Sequence, residues 1–410
     1  MKFLKSSMLS AAAVIVASQA SAVDLEVTHW WTSGGEAAAV SEFAKAFNAT
    51  EHTWIDGAIA GSGGTARPII ISRILGGDPM HATQLNHGRQ AEELVEAGLM
   101  LDLSDIAAEG GWADVVNPSR LLDSCTLDGK VYCVPVNIHS PQWLWLSHEA
   151  FAKAGLDVPS DWFEFVAAAP ALREAGVVPL AMGQQSWQTD LAFGAIQVAV
   201  GGTDLYLDVL TNKNADAAAS AEMTKVFEAY ADARLLSVGS NVNDWNQATN
   251  LVITGQAGGQ IHGDWAQGEF QVANQVAGED YTCLPGLGVN EIIATGGDAF
   301  YFPKQDDPAV EAAQKELAQL MISKEVQVAF NLKKGSLPIR GDVDLSAAND
   351  CMKKGLAILA AGNVLPDGVN AFSADTAGQM ADLMVEFWND TSITVEDAQA
   401  RYVEIIATAD

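Results

Sequence analysis

The stretch LEVTHWWTSGGEAAAVSEFAKAF, residues 25–47, carries the first and clearest statement of the fold. LEVTHWW reads as a short strand. A glycine turn follows, and AAAVSEFAKAFNA then reads as a helix. Val40, Phe43, Ala44 and Phe47 fall at i, i+3, i+4 and i+7, which puts one apolar face on that helix. The pattern continues downstream. TARPIIISRILGGDP reads as a second helix, interrupted early by Pro68 and ended at Gly76-Gly77. ATQLN is a short strand, and GRQAEELVEAG a helix with its glycine stop. A β-α-β-α opening of this kind implies a parallel sheet with helices packed on it.

Farther along, KVYCVPVNIHS reads as a strand crossing Pro135, Asp161 to Ala175 as a helix and VVPLAMG as a strand. Ala217 to Leu235 reads as helix, LVITGQAGGQIHGDW as helix end, glycine turn and strand. GGDAFYFPK is a strand, Asp307 to Ser323 a long helix, and the tail another helical set. The 410 residues, 49% hydrophobic and 18% charged, suffice for two cores. No composition break, repeat or flexible linker marks a boundary, as expected of two domains joined by more than one crossing segment.

Residues 1–22 have another character. Lys2 and Lys5 precede the apolar run AAAVIVAS and the small residues Ala20-Ser21-Ala22, the pattern of an export signal cleaved after Ala22. The expected product is a soluble protein of a bacterial periplasm. In that compartment Cys125, Cys133, Cys283 and Cys351 are disulfide candidates. Cys125 and Cys133 flank the turn Leu127-Asp128-Gly129-Lys130, so a local bridge is the expected pairing, leaving Cys283 with Cys351. Four free buried thiols are the alternative. Zinc is disfavoured because no Cys-x-x-Cys pair occurs. Removing Lys2 and Lys5 with the leader takes the formal net charge of −30 to −32, a surface that repels nucleic acid and anionic lipid.

Eight elements, in order, carry a family resemblance. They are WWTSGGE (30–36), GSGG (61–64), ATQLN (82–86), VPVNIHSPQWLW (134–145), DWNQATNLVITGQAG (244–258), HGDWAQGEF (262–270), GGDAF (296–300) and FNLKKGSLPIR (330–340). Together they resemble the extracellular solute-binding proteins of bacterial ABC sugar importers, the family that includes maltose-binding protein, and most closely its glucose-binding, monosaccharide branch. The resemblance implies the periplasmic-binding-protein fold: two α/β lobes, a ligand cleft between them, and hinge crossings near Pro135–Val136, Pro285 and Ile322–Lys324. The lobes would be 24–135 plus 286–322 and 136–285 plus 323–410. It further implies a monosaccharide ligand, most simply glucose, a membrane permease as partner, a monomeric chain and no cofactor. Asn86 departs from the branch, whose members often carry Lys or His there.

A sugar offers a C–H face for an aromatic plate and a rim of hydroxyls for paired donors and acceptors. In open α/β sheets the cleft lies beyond the C-terminal ends of strands. Trp30 and Trp31 end a strand, with side chains on opposite sides; one packs under the helix while the other, Trp31 by preference, faces the ligand. Glu36 either contacts ligand or completes an S-x-x-E capping box with the Ser33 amide. Asn86 closes a strand, with Gln84 on the same side and His87 adjacent as a substitute. His139 shares a strand face with Asn137 just past the first crossing. Trp245 and Trp265 are the plates expected from the second lobe, with His262 and Asp264 beside Trp265. Asp298 follows Gly296-Gly297, where backbone can approach a ligand closely, and accepts hydroxyls. Lys334 donates to them or caps its helix. Trp143 and Trp145 alternate with leucines and read as core.

Carboxylates beside tryptophans also describe a glycoside hydrolase. No nucleophile elbow, H-E-x-x-H spacing or phosphate loop occurs; GSGGTAR lacks the terminal Lys-Ser/Thr. A non-catalytic sugar receptor without metal is therefore expected, with an oligosaccharide or polyol as the alternative ligand.

Overall fold

A computed structural model describes residues 22–366 and 371–410. The leader expected over 1–22 lies, save its last residue, outside the described residues. The first strand, β1 (Asp24–His29), pairs in parallel with β2 (Thr53–Ala58) on one side and β3 (Ala82–Asn86) on the other. Two more strands complete this five-stranded sheet, Asp298–Tyr301 against β3 and then Cys133–Pro135, both running antiparallel to their neighbours. The parallel sheet expected from the opening thus holds for its first three strands. β2 has no counterpart among the expected strands. TWIDGA lies at the sheet edge with Ile55 45% exposed, so half of the usual apolar alternation is missing.

The second sheet has four strands, ordered Tyr281–Pro285, Trp143–Ser147, Ala257–His262 and Val178–Leu180. Two α/β layers, each with its own sheet and a cleft between them, make the periplasmic-binding-protein fold. The chain leaves the first sheet after Pro135 and enters the second at Trp143. It returns between Pro285 and Asp298. Helix Lys324–Lys334 lies on the first helix, α1 (Gly34–Phe47), with Phe330 stacked on Phe43 at 4.3 Å between ring centroids. Helix Asp350–Ala361 instead packs against strand Tyr281–Pro285 of the second sheet.

Both expected disulfides are formed. Cys125–Cys133 closes a hairpin whose turn residues Asp128 and Gly129 have φ of 50° and 75°, the left-handed pair a tight hairpin needs. Cys283–Cys351 ties the second sheet to helix Asp350–Ala361. Among the described residues no helix is long and apolar enough to cross a membrane.

Candidate functional site

Strand β3, the segment that leaves strand Cys133–Pro135 and the start of strand Asp298–Tyr301 meet at one carboxylate. Asp298 Oδ1 accepts from Gln84 Nε2 at 2.9 Å, and Oδ2 from Asn137 Nδ2 at 2.9 Å. Asn137 Oδ1 in turn accepts the Asp298 amide at 2.7 Å, so one asparagine clamps the residue from both ends. His139 Nε2 stands 3.4 Å from Oδ2. Burial works against the charge on Asp298, yet His139, Lys334 and these hydrogen bonds outweigh it and hold the carboxyl below its usual range. Burial likewise opposes charging His139, and the Asp298 carboxylate overcomes it, raising that imidazole's pKa.

From the other layer, the loop after strand Ala257–His262 carries Asp264 and Trp265. Asp264 Oδ2 accepts the Ser140 amide at 3.0 Å, while its buried Oδ1 has no protein partner. Burial pushes this carboxyl up to about 7, against the pull of His139. Trp265 lies edge-on to His139, with 4.9 Å between ring centroids, and donates Nε1–H to His262 Nε2 at 2.8 Å. An accepting Nε2 puts the His262 proton on Nδ1, and burial, with Lys334 adding to it, lowers that imidazole to about 3. Trp245, in the first turn of helix Trp245–Ile253, stacks on His262 at 5.0 Å and 18° between planes. Trp187, half-buried in the first turn of helix Ser186–Ile196, sits 6.3 Å from Trp265.

The two layers also touch at two other places. Ser62, which opens α2 (Ser62–Leu75), has an Oγ that accepts from Trp187 Nε1 at 3.1 Å and Gln185 Nε2 at 3.3 Å. At the start of α1 the Gly35 amide donates to Glu269 Oε1 at 2.7 Å. A Cβ on Gly35 would collide with the Gly268 backbone, so glycine is what allows this approach.

Several expectations need correction. Trp31, 1% exposed, is the tryptophan in the core: it packs on Phe43, Phe300 and Phe330. Trp30, 8% exposed, points the other way, with the Arg67 guanidinium carbon 5.6 Å from its ring centre. Strand alternation sends them apart, but only the fold says which goes where. Gln84 is fully buried; besides Asp298 it accepts the Trp30 amide at 3.1 Å, so it holds the site together and does not line it. Glu36 does not reach back to the Ser33 amide. Its Oε2 accepts from Ser33 Oγ and its Oε1 from Lys334 Nζ at 2.8 Å, while Ser33 Oγ caps the Glu36 amide. Lys334 lies 5.1 Å over Trp31 and closes a buried pair. Asn86 accepts from Arg67 at 3.0 Å and donates to the Gly297 carbonyl at 3.3 Å. His87 is fully buried beside it, lowered to about 4 by burial and then His139.

Arg67 and Trp187 escape the sequence reading. For Trp187 a signal exists: like DWNQ, SWQTD sets a tryptophan among polar residues in a helix's first turn. Arg67 has none, since only folding brings it to Trp30 and Asn86. Among the described residues no cluster of His, Cys, Asp and Glu could hold a metal ion.

Residues 31–328 match the family model described as bacterial extracellular solute-binding protein. The chain belongs to this family. The solute-binding protein is 34% identical over 369 residues to a probable sugar-binding periplasmic protein of Rhizobium meliloti, covering 88% of this chain and 87% of that one. A probable sugar-binding periplasmic protein of Mesorhizobium japonicum is 32% identical over 417 residues, 100% of this chain and 99% of the other. Among solved structures, a chitin oligosaccharide binding protein superposes with a TM-score of 0.77 at 18% identity, covering 95% and 99% of the two chains. A bacterial solute receptor with exclusive preference for β-D-galactopyranose gives 0.75 at 20%, covering 94% and 98%. These relatives bind and do not catalyse. The solute-binding protein is accordingly an exported receptor and not an enzyme.

Proposed function

We propose that this solute-binding protein is the receptor of an ABC sugar importer, holding one monosaccharide, most simply glucose, between its lobes and presenting it to a permease. One observation carries the reading. Asp298 with its clamp from one layer, and Asp264 with its unpartnered Oδ1 and the indoles of Trp265 and Trp187 from the other, converge on one place. Hydroxyl acceptors and aromatic faces are what a sugar requires, and an orphaned buried carboxylate oxygen is costly unless a donor meets it. Trp30, Asn86, His139, Asp264, Trp265 and Asp298 are the proposed contacts, with Trp245 backing His262. Glu36, Gln84 and Lys334 support them, and Trp31 is left to the core. The curated relatives named as sugar-binding support the ligand class.

The lobes are in contact at Ser62 with Trp187 and at Gly35 with Glu269, and a single ring is the ligand proposed between them. A longer ligand or a polyol is the competing reading, because proteins of this fold are named for both oligosaccharides and single sugars. The lobe limits stay as 24–135 plus 286–322 and 136–285 plus 323–410, except that helix Lys324–Lys334 travels with the first lobe through Phe330 and Phe43. The chain acts as a monomer, with the leader cleaved after Ala22. Isothermal titration with glucose, galactose, mannose, xylose, maltose and mannitol tests the reading. A single saturable site preferring a monosaccharide is expected. Preference for maltose or mannitol would assign the competing ligand, and binding of none of the six would remove the sugar reading.

A further inference from the structure

Arg67 is a cleft-facing cation with much of its donor capacity uncommitted. It lies in α2, and its side chain folds back over the helix's first turn. Gly63 makes room for it: a Cβ there would stand 3.1 Å from the guanidinium carbon. The guanidinium is then fixed by two contacts, Nη1 donating to Asn86 Oδ1 at 3.0 Å and the plane lying 5.6 Å from the Trp30 ring centre. A guanidinium has five N–H donors, and Asn86 takes one of them. Among the described residues Arg67 forms no ion pair with any carboxylate. The other cations of the site are already engaged, Lys334 by Glu36 and His139 by Asp298. Burial disfavours the charge on Arg67, and Asp298 alone offsets it at longer range. Seating a charge in this way without a partner costs stability unless something else uses it.

We infer that Arg67 is a specificity-determining residue of the cleft, its guanidinium donating to two neighbouring oxygens on the ligand edge that faces Asn86. The planar fork suits paired acceptors, as a lysine ammonium does not. Vicinal hydroxyls of a neutral sugar and the carboxylate of a sugar acid both present such a pair. The inference rests on the sugar-receptor reading.

The test titrates the full chain and its variants Arg67→Ala, Arg67→Lys, Asn86→Ala and Asp298→Ala with glucose, galactose, mannose and glucuronate, alongside thermal melts. Arg67→Ala is expected to weaken the preferred ligand about tenfold or more and to compress the affinity ratio between epimers. Arg67→Lys should keep part of the affinity but lose the ratio, with the sugar-free melt lowered in neither. Loss confined to glucuronate would identify a sugar acid as the source of the paired oxygens. An unchanged affinity and ratio in Arg67→Ala, or effects identical to those of Asn86→Ala, would overturn the role of Arg67. If Asp298→Ala abolishes binding in that case, the sugar reading survives without it. A wild type that binds none of the four overturns both.

Discussion

Asp298 illustrates how one residue can be charged, buried and stable. Two amide donors and a histidine surround a carboxylate that is only 4% exposed. Asp298→Asn keeps the shape but sets an amide against the amides of Gln84 and Asn137. It should cost at least about 1.5 kcal/mol of sugar binding, roughly tenfold or more in Kd, by titration. Trp245→Ala should cost a similar amount by releasing His262 from its stack. Asp264 is the pH-sensitive member. Its folded pKa of about 7 lies above the usual 3.8, so the folded state binds this proton more tightly than the unfolded state does. Its stabilising effect is full below about pH 4 and is lost as pH rises through 7. Asp264→Asn should therefore raise the melting temperature relative to wild type at pH 8 and change it little at pH 4. An equal shift at both pH values would contradict the burial of this carboxyl. His262, lowered to about 3, runs the other way: its neutral form stabilises above about pH 6.5, and that contribution is lost as pH falls toward 3.

At the scale of elements, the recurring device is a strand that ends in polar residues and delivers tryptophan at or near a helix start. It is used at Trp30, after His29, and at Trp265, after His262, while Trp187 and Trp245 sit in the first turns of their own helices. Short turns give such rings little freedom, so their faces are set before a ligand arrives. The start of α1 adds a second device. Its Gly35 amide is met by Glu269 from the other layer, placing a carboxylate at the positive end of a helix. This contact joins α1 to the helix that follows strand Ala257–His262 of the second sheet. Glu269→Gln should shift the population toward the open form without touching the ligand. The expected result is a two- to fivefold weaker Kd, on the scale of about 0.3–1 kcal/mol for such a charge, and a larger radius of gyration of the sugar-free protein by X-ray scattering. No change in either would make the contact incidental. These positions were partly legible: glycines and tryptophans at strand ends announce a cleft. β2 was not, because an edge strand with an exposed isoleucine lacks the alternation that marks buried ones.

For the whole molecule, the first core runs on to one face of the second sheet through Trp143, Trp145, Phe270 and Tyr281, while the other face, with Leu144 and Leu146, packs a second core. The chain passes between the sheets near Pro135 and Pro285, and the C-terminal helices return to the second layer. Cys283–Cys351 fixes one of those helices to the second sheet across 68 residues. Replacing both cysteines by serine should lower stability by roughly 2–4 kcal/mol, as restraint on the unfolded chain is removed. A denaturant titration checks this, with sugar affinity expected to stay near wild type because the bridge lies in the layer behind the cleft.

The sequence by itself determined the α/β class and the family, and its expected cysteine pairing is the one that forms, because these follow from local periodicity, turn chemistry and short ordered motifs. Only the tertiary structure decided that Trp31 packs in the core, that Gln84 and Lys334 spend their hydrogen bonds on Asp298 and Glu36, and that Arg67 meets Asn86 and Trp30. Each of those depends on partners tens to hundreds of residues away, and no local pattern encodes which donor will find which acceptor once two lobes close on each other.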